Sequence, residues 1–309
     1  MSSSIYVRRH FNAKKLLFAS ENNSYNPRME TIEIQVDGRL RRAVAILPQG
    51  SGSWPVVMLL HGAGGTPEWA IRETRWDSLA VQKGFALVAP EATRPHPKLP
   101  IRFYTNPPVW NDGSNRPPAD QVSQVDDVAF LRVLLEEMPR RFSIDPRRIY
   151  ITGFSNGAGM TFRAGLELSD RIAAIGPVAG HLAVSEPKPS RRLPTIYLIG
   201  TADPLIPLAG GTMKTPWAEN NIKPPVNDTL RRWANLLGLP PEPETATSER
   251  EGIRREIWPG GDMEAWFIDG LGHHWPGGMA GLNPRIAGAP SDLLDATRTI
   301  WQFFRSRSL

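Results

Sequence analysis

Ile149-Tyr150-Ile151-Thr152-Gly153-Phe154-Ser155-Asn156-Gly157-Ala158-Gly159-Met160 decides how the rest of this chain is read. It opens as a short apolar, β-rich run and closes as the start of a helical pattern that continues over Thr161 to Leu168. Between the two sits Gly153-x-Ser155-x-Gly157. A strand that turns this sharply into a helix leaves room only for small residues on either side of the serine, and the strained turn lifts the hydroxyl clear of the sheet. The Ser155 oxygen then lies at a helix start, where backbone N–H groups face developing negative charge. The five-residue pattern also arises by chance; the strand before it and the helix after it set this copy apart.

Outward from that stretch, strand and helix patterns alternate. Thr31 to Val36 has period two, Asp37-Gly38 is a two-residue hairpin signal, and Arg39 to Leu47 is the partner strand. Pro55 to Leu60 and Phe85 to Ala89 are continuous apolar runs, as expected of strands buried on both faces. Further strands are expected over Ile172 to Val178, Pro194 to Ile199, Ile253 to Trp258 and Met263 to Ile268. Helices are expected over Glu68 to Gln82, Ala119 to Met138, Val226 to Leu237 and Ser291 to Arg305, with Ser291 as N-cap. Glu91 to Pro118 and Gly210 to Pro225 read as long loops, and Pro240 to Ser248 as a surface linker. The alternation predicts an α/β fold: a mainly parallel central sheet, an antiparallel N-terminal hairpin and helices on both faces. Residues 1–28 are polar and irregular and are expected to be a peripheral extension of a single domain over 29–309.

Three residues follow three expected strands: Ser155, Asp203 and His273. Loops at the carboxyl ends of such strands gather on one side of the sheet, so the three can meet. A serine needs an adjacent base to attack a carbonyl, a histidine is one near neutral pH, and a carboxylate fixes the imidazole tautomer. The glycine-rich run His61-Gly62-Ala63-Gly64-Gly65 directly follows a strand and offers a backbone N–H to an oxyanion. The expected donors are the amides of Asn156 and of Ala63, with Gly64 as the lesser choice for the second; His61 is read as a brace for this loop. The aromatic side chains of the two long loops, Phe103, Tyr104, Trp110 and Trp217, together with Trp275 beside the base and His181 after a strand, are read as walls of the substrate pocket.

Composition excludes other chemistries. The chain has 309 residues, a net charge of +5 and no cysteine, which removes disulfides, a thiol nucleophile and cysteine metal sites. Its arginines are scattered in pairs rather than gathered in a stripe, so no nucleic-acid partner is expected. No run spans a membrane, Leu16 to Ala19 is too short for a signal-peptide core, and the cytoplasm is favoured over export. No cluster has metal-ligand spacing and no dinucleotide fingerprint is present, so neither metal nor cofactor is expected. Asp126-Asp127 is read as helix-end charge and bracing, because adjacent helical residues face different ways. The oligomeric state is not readable.

Taken together, the residues resemble the polyhydroxybutyrate depolymerase and feruloyl esterase group of the α/β-hydrolases, akin to carbohydrate esterase family one. The resemblance runs over roughly residues 40 to 305. It rests on Leu60-His-Gly-Ala-Gly-Gly65, Val125-Asp-Asp-Val-Ala-Phe130, Asp145 to Gly157, Gly200-Thr-Ala-Asp203 and Gly272-His273-His274-Trp275-Pro276-Gly277. It implies a serine esterase with Ser155 as nucleophile, Asp203 as acid and His273, which precedes x-Trp-Pro, as base. The aromatic side chains of the long loops favour soluble short-chain or aromatic esters, and the resemblance adds hydroxyalkanoate oligomers, feruloyl and acetyl esters. A peptidase or amidase on the same fold is the alternative, with a non-catalytic binding protein behind it.

Overall fold

The computed structural model describes residues 28–309 apart from Ser51 and Ser185. The expectations for the N-terminal extension before residue 28 lie outside the described residues. The elements run β1 (Arg28–Val36), β2 (Arg39–Leu47), β3 (Trp54–Leu60), α1 (Pro67–Thr74), α2 (Trp76–Lys83), β4 (Ala86–Pro90), α3 (Asp127–Arg141), β5 (Ile144–Phe154), α4 (Asn156–Glu167), β6 (Ala174–Val178) and β7 (Thr195–Gly200). They continue with β8 (Gly211–Thr215), β9 (Ala218–Lys223), α5 (Val226–Leu236), β10 (Thr245–Arg250), β11 (Ile253–Ile257), β12 (Met263–Ile268), α6 (Pro284–Ala287) and α7 (Ala296–Phe304).

Ten strands form one sheet in the order β1-β2-β4-β3-β5-β6-β7-β12-β11-β10. The central six are parallel, and antiparallel strands finish both edges. Because successive side chains of a strand point to opposite faces, β5 shows how both faces are covered. Tyr150 stacks on Phe304 of α7 with ring centroids 4.8 Å apart. Gly153, three residues on, faces α4 instead: a Cβ there would stand 2.7 Å from Thr161 Oγ1. The strands between these layers are apolar throughout, with β3, β4 and β5 buried at nearly every central position.

Several boundaries differ from the sequence reading, each for a physical reason. The expected helix 68–82 is two helices, broken at Arg75, which adopts a left-handed conformation (φ 56°) and donates its N–H to the Ile71 carbonyl. The break leaves Trp76 wholly buried and edge-on to Phe85. The expected helix 119–138 is a 3-10 turn over Ala119–Val122 followed by α3. Asn111 separates them: its side-chain amide donates to the carbonyls of Ser123 and Val125, both at 2.8 Å, and Asp126 caps the new start by accepting from the Ala129 N–H. The second long loop holds the β8–β9 hairpin, and the expected linker 240–248 leads into β10, which pairs with β11. The last helix starts at Ala296 under an Asp295 cap rather than at Ser291, whose carbonyl accepts from the Gly277 N–H instead.

One buried ion pair ties the sheet to the first long loop. Arg41 of β2 donates to Asp127 Oδ1 at 2.7 Å, and Asp127 Oδ2 accepts the Asn111 N–H at 2.7 Å. Arg41 also lies over the Phe130 ring at 4.0 Å. Asp127 is fully buried, so removing it strands a guanidinium and an amide in the interior. Asp127→Ala is therefore expected to cost about 3–5 kcal/mol of stability; urea unfolding would measure it, and a loss under about 1 kcal/mol would show that the pair is dispensable.

Candidate active site

The site is built at the carboxyl end of the parallel strands. Ser155 joins β5 to α4 with φ 57° and ψ −117°, a conformation that L residues seldom adopt. The flanking glycines are demanded by close approach rather than by their own dihedrals. A Cβ on Gly153 would stand 2.4 Å from the Gly157 carbonyl oxygen, and one on Gly157 would stand 2.3 Å from that of Leu60. Both lie far inside van der Waals contact. The elbow is thus pressed against the end of β3 by the absence of side chains.

Asp203 follows β7, and its Oδ1 accepts the N–H groups of Leu205 and Ile206, both at 2.8 Å. Its Oδ2 lies 2.8 Å from His273 Nδ1. His273 follows β12, and its Nε2 lies 2.9 Å from Ser155 Oγ. The carboxylate can only accept, so Nδ1 carries the proton and Nε2 is left to accept from the serine hydroxyl. Asp203 and His273 are buried, and the Phe154 ring lies against the imidazole at 4.7 Å. The expected trio therefore meets in one hydrogen-bonded line. His274 points elsewhere, with Nε2 3.0 Å from the Gly288 carbonyl.

Two backbone amides are open beside the serine. The Gly64 N–H is taken by the Pro108 carbonyl at 2.8 Å, which leaves the Ala63 amide rather than that of Gly64. The Ala63 and Asn156 amides donate to no backbone carbonyl among the described residues. The Asn156 side chain holds the elbow in place: its Oδ1 accepts the Trp110 N–H, and its Nδ2 donates to the Trp110 carbonyl and to Asp112 Oδ2. His61 accepts the Ala92 N–H at Nε2, so Nδ1 donates to the Gly62 carbonyl. Complete burial pushes its pKa down to about 4, which keeps it neutral as a brace.

A cavity with about 80 Å³ of free volume opens at Ser155, and Ala63, Asn156, His181 and Trp217 line it. Trp217 donates from Nε1 to the Phe103 carbonyl and packs on the Phe103 ring at 4.9 Å. Four expected wall residues lie outside this lining, Phe103 among them, packed on Trp217. Trp110 is wholly buried, with Nε1 donating to the His61 carbonyl, because its indole packs beneath the glycine-rich loop. Trp275 is buried with Nε1 on Thr297 Oγ1, packed towards α7. Tyr104 is 62% exposed, edge-on to Phe103, and lies outside the cavity wall.

The wall also contains residues that sequence reading passes over: Arg116, Asn221, Lys223, Leu205 and Ile206. A weak signal for two of them is present. Arg116 and Lys223 each precede a Pro-Pro pair at the closing end of a long loop, and the residue before a proline is held extended. The cavity wall thus holds two cations beside one anion, Asp112. Burial, then Lys223 and Arg116, push the His181 pKa down to about 3. Burial, then Arg116, pushes Lys223 down to about 8.

Among the described residues no helix is long and apolar enough to cross a membrane. The chain is 27% identical over 297 residues to "Putative esterase NocK" of Nocardia uniformis subsp. tsuyamanensis, covering 88% of this chain and 81% of that one. It is 32% identical over 157 residues to feruloyl esterase B of Piromyces equi, covering 49% of this chain but only 29% of that enzyme's length. The acetyl xylan esterase structure from Aspergillus awamori shares the fold with a TM-score of 0.54 at 14% identity, covering 76% of this chain and 89% of its own. The phospholipase/carboxylesterase family model matches residues 42–234, a span that holds Ser155 and Asp203 and stops short of His273. With well over half its length matched, the chain belongs to the phospholipase/carboxylesterase family of α/β-hydrolases and is a carboxylic ester hydrolase.

Proposed function

We propose that the chain hydrolyses soluble short-chain or aromatic carboxylic esters through an acyl-enzyme on Ser155. The observation that carries the reading is the line Ser155 Oγ, His273 Nε2, His273 Nδ1, Asp203 Oδ2, with contacts of 2.9 and 2.8 Å. In this reading His273 takes the hydroxyl proton as Ser155 attacks the ester carbonyl. The amides of Ala63 and Asn156 receive the developing oxyanion. His273 then gives its proton to the leaving alcohol, and water, activated by the same nitrogen, releases the acid and restores the serine. Asp203 holds the tautomer and balances the imidazolium. Its backbone bonds at Oδ1 keep the carboxylate pointing at Nδ1.

The small free volume beside Ser155 supports short acyl groups, since pockets for drug-sized ligands run to roughly 300–1,000 Å³. A series of 4-nitrophenyl esters tests this. The expected kcat/KM falls by about tenfold or more between butyrate and decanoate, and solid polyester film is cleared poorly. A profile that rises towards decanoate, or efficient clearing of film, would overturn the size reading.

A further inference from the structure

Three buried polar side-chain atoms without a partner among the described residues belong to one wall of the cavity at Ser155: Arg116 Nε, His181 Nε2 and Asn221 Oδ1. A buried polar atom left unpaired costs roughly 1–3 kcal/mol, so three of them among the residues of one cavity wall mark that wall as polar and short of protein partners among the described residues. Lys223 stands in the same wall, and neither it nor Arg116 forms an ion pair with any described carboxylate. Asp112 is the anion in that wall, and its oxygens are already engaged. Oδ1 accepts the Ser114 N–H and Oδ2 accepts from Asn156 Nδ2.

The two cations are held where they are. Arg116 donates from Nη1 to the Ile222 carbonyl at 3.0 Å, which fastens the first long loop to the β8–β9 hairpin that carries Lys223. Each is followed by Pro-Pro, so its backbone has little freedom to swing the charge into solvent. Burial lowers the pKa of both; Arg116 lowers that of Lys223 further and both cations lower that of His181, while Asp112 raises both cations and Asp203 raises Lys223, so the two cations repel each other across one shared wall anion.

We propose that Arg116 and Lys223 form an anion subsite, so that the preferred substrates are esters carrying a second group, a carboxylate, remote from the scissile bond. This rests on the serine-esterase reading of the same cavity. The reaction stays a hydrolysis: one ester bond and one water give an alcohol and an acid, and the remote carboxylate is unchanged. The guanidinium suits a planar two-oxygen partner and the ammonium adds a point charge. His181, which stays neutral beside them, adds a hydrogen bond without opposing charge.

Paired probes read the carboxylate on either side of the bond. Monoethyl succinate is compared with ethyl levulinate for the acyl side, and acetoxyacetate with acetoxyacetone for the alcohol side, products being followed by proton NMR. In each pair a carboxylate is exchanged for an acetyl group of similar shape. The quantity is the anionic-to-neutral ratio of kcat/KM within each protein, so intrinsic reactivity cancels between proteins. In one pair or both, the ratio is expected to drop about tenfold or more from wild type to the Arg116→Gln/Lys223→Met double variant, a loss equivalent to one good charge contact. A drop of less than about threefold in both pairs overturns the subsite. Should the double variant fail to fold, the wild type answers alone. Its ratio must fall as salt rises from about 20 mM to about 0.5 M, and a salt-independent ratio in both pairs overturns the proposal. Turnover of the neutral esters separates the two claims: if they are hydrolysed without an anionic preference, the subsite fails and the esterase reading stands.

Discussion

Replacing Ser155 by alanine is expected to lower ester hydrolysis by about 10⁴-fold or more while the fold stays intact. The substitution removes one oxygen, whose hydrogen bond among the described residues is to His273 Nε2 at 2.9 Å. The strained turn is fixed by its neighbours: Gly153 and Gly157 leave no room for side chains, and the Ser155 N–H and carbonyl remain bonded to Val178 and to the first turn of α4. Alanine accepts the same positive φ about as poorly as serine, so stability should change little. What is lost is the atom that would carry the acyl group. The other serine of the cavity wall, Ser114, lies on the first long loop, where its Oγ accepts the Arg116 N–H and has no histidine hydrogen bond among the described residues. Residual activity above about a tenth of wild type would mean that another group, or a bound water, does the attacking.

His273→Ala is expected to have an effect of the same order, about 10⁴-fold or more in kcat, because both ring nitrogens are engaged in the proposed proton path. Its neighbour gives the control. His274 is equally buried, yet its ring faces the Gly288 carbonyl and its Nδ1 has no partner. His274→Ala should therefore act on stability, by about 1–3 kcal/mol through the unpaired carbonyl and the space left behind, with less than about a tenfold change in turnover. Kinetics and thermal unfolding of the two variants separate the roles. A dead His274 variant beside an active His273 variant would assign the base to the wrong residue of the pair.

Much of this arrangement is legible in the amino-acid sequence, because local chemistry and global fold agree there. A strand, a glycine-flanked serine and a helix leave one geometry, and carboxylate and histidine at strand ends fall on the same side of a parallel sheet. The same holds for the hairpin and for the buried strands, whose side chains are apolar on both faces. What is not legible depends on tertiary partners. Nothing in Thr74-Arg75-Trp76 marks a break, since arginine is an ordinary helix residue; the break is set by where Trp76 is buried. The gap between Val122 and Asp127 is set by Asn111, more than ten residues upstream, whose amide takes two carbonyls that a helix would have used. Trp110 and Trp275 illustrate a further limit. An indole near a reactive residue in sequence can face the pocket or the core, and here the nearest acceptors, the His61 carbonyl and the Thr297 hydroxyl, lie inwards. Conversely, Arg116 and Lys223 lie in stretches whose sequence shows no clear periodicity, although Lys223 ends β9, so only the tertiary fold brings the two together.

The central claim is that one serine carries a covalent intermediate. A fluorophosphonate probe mimics the tetrahedral stage of acyl transfer and phosphonylates a serine only where a base and an oxyanion site activate it. Labelling the native protein, digesting it and mapping the adduct by mass spectrometry is the direct measurement. The expected result is a single adduct on the peptide containing Ser155, formed within minutes, and none after heat denaturation. An unlabelled protein, or an adduct at any other serine, would contradict it.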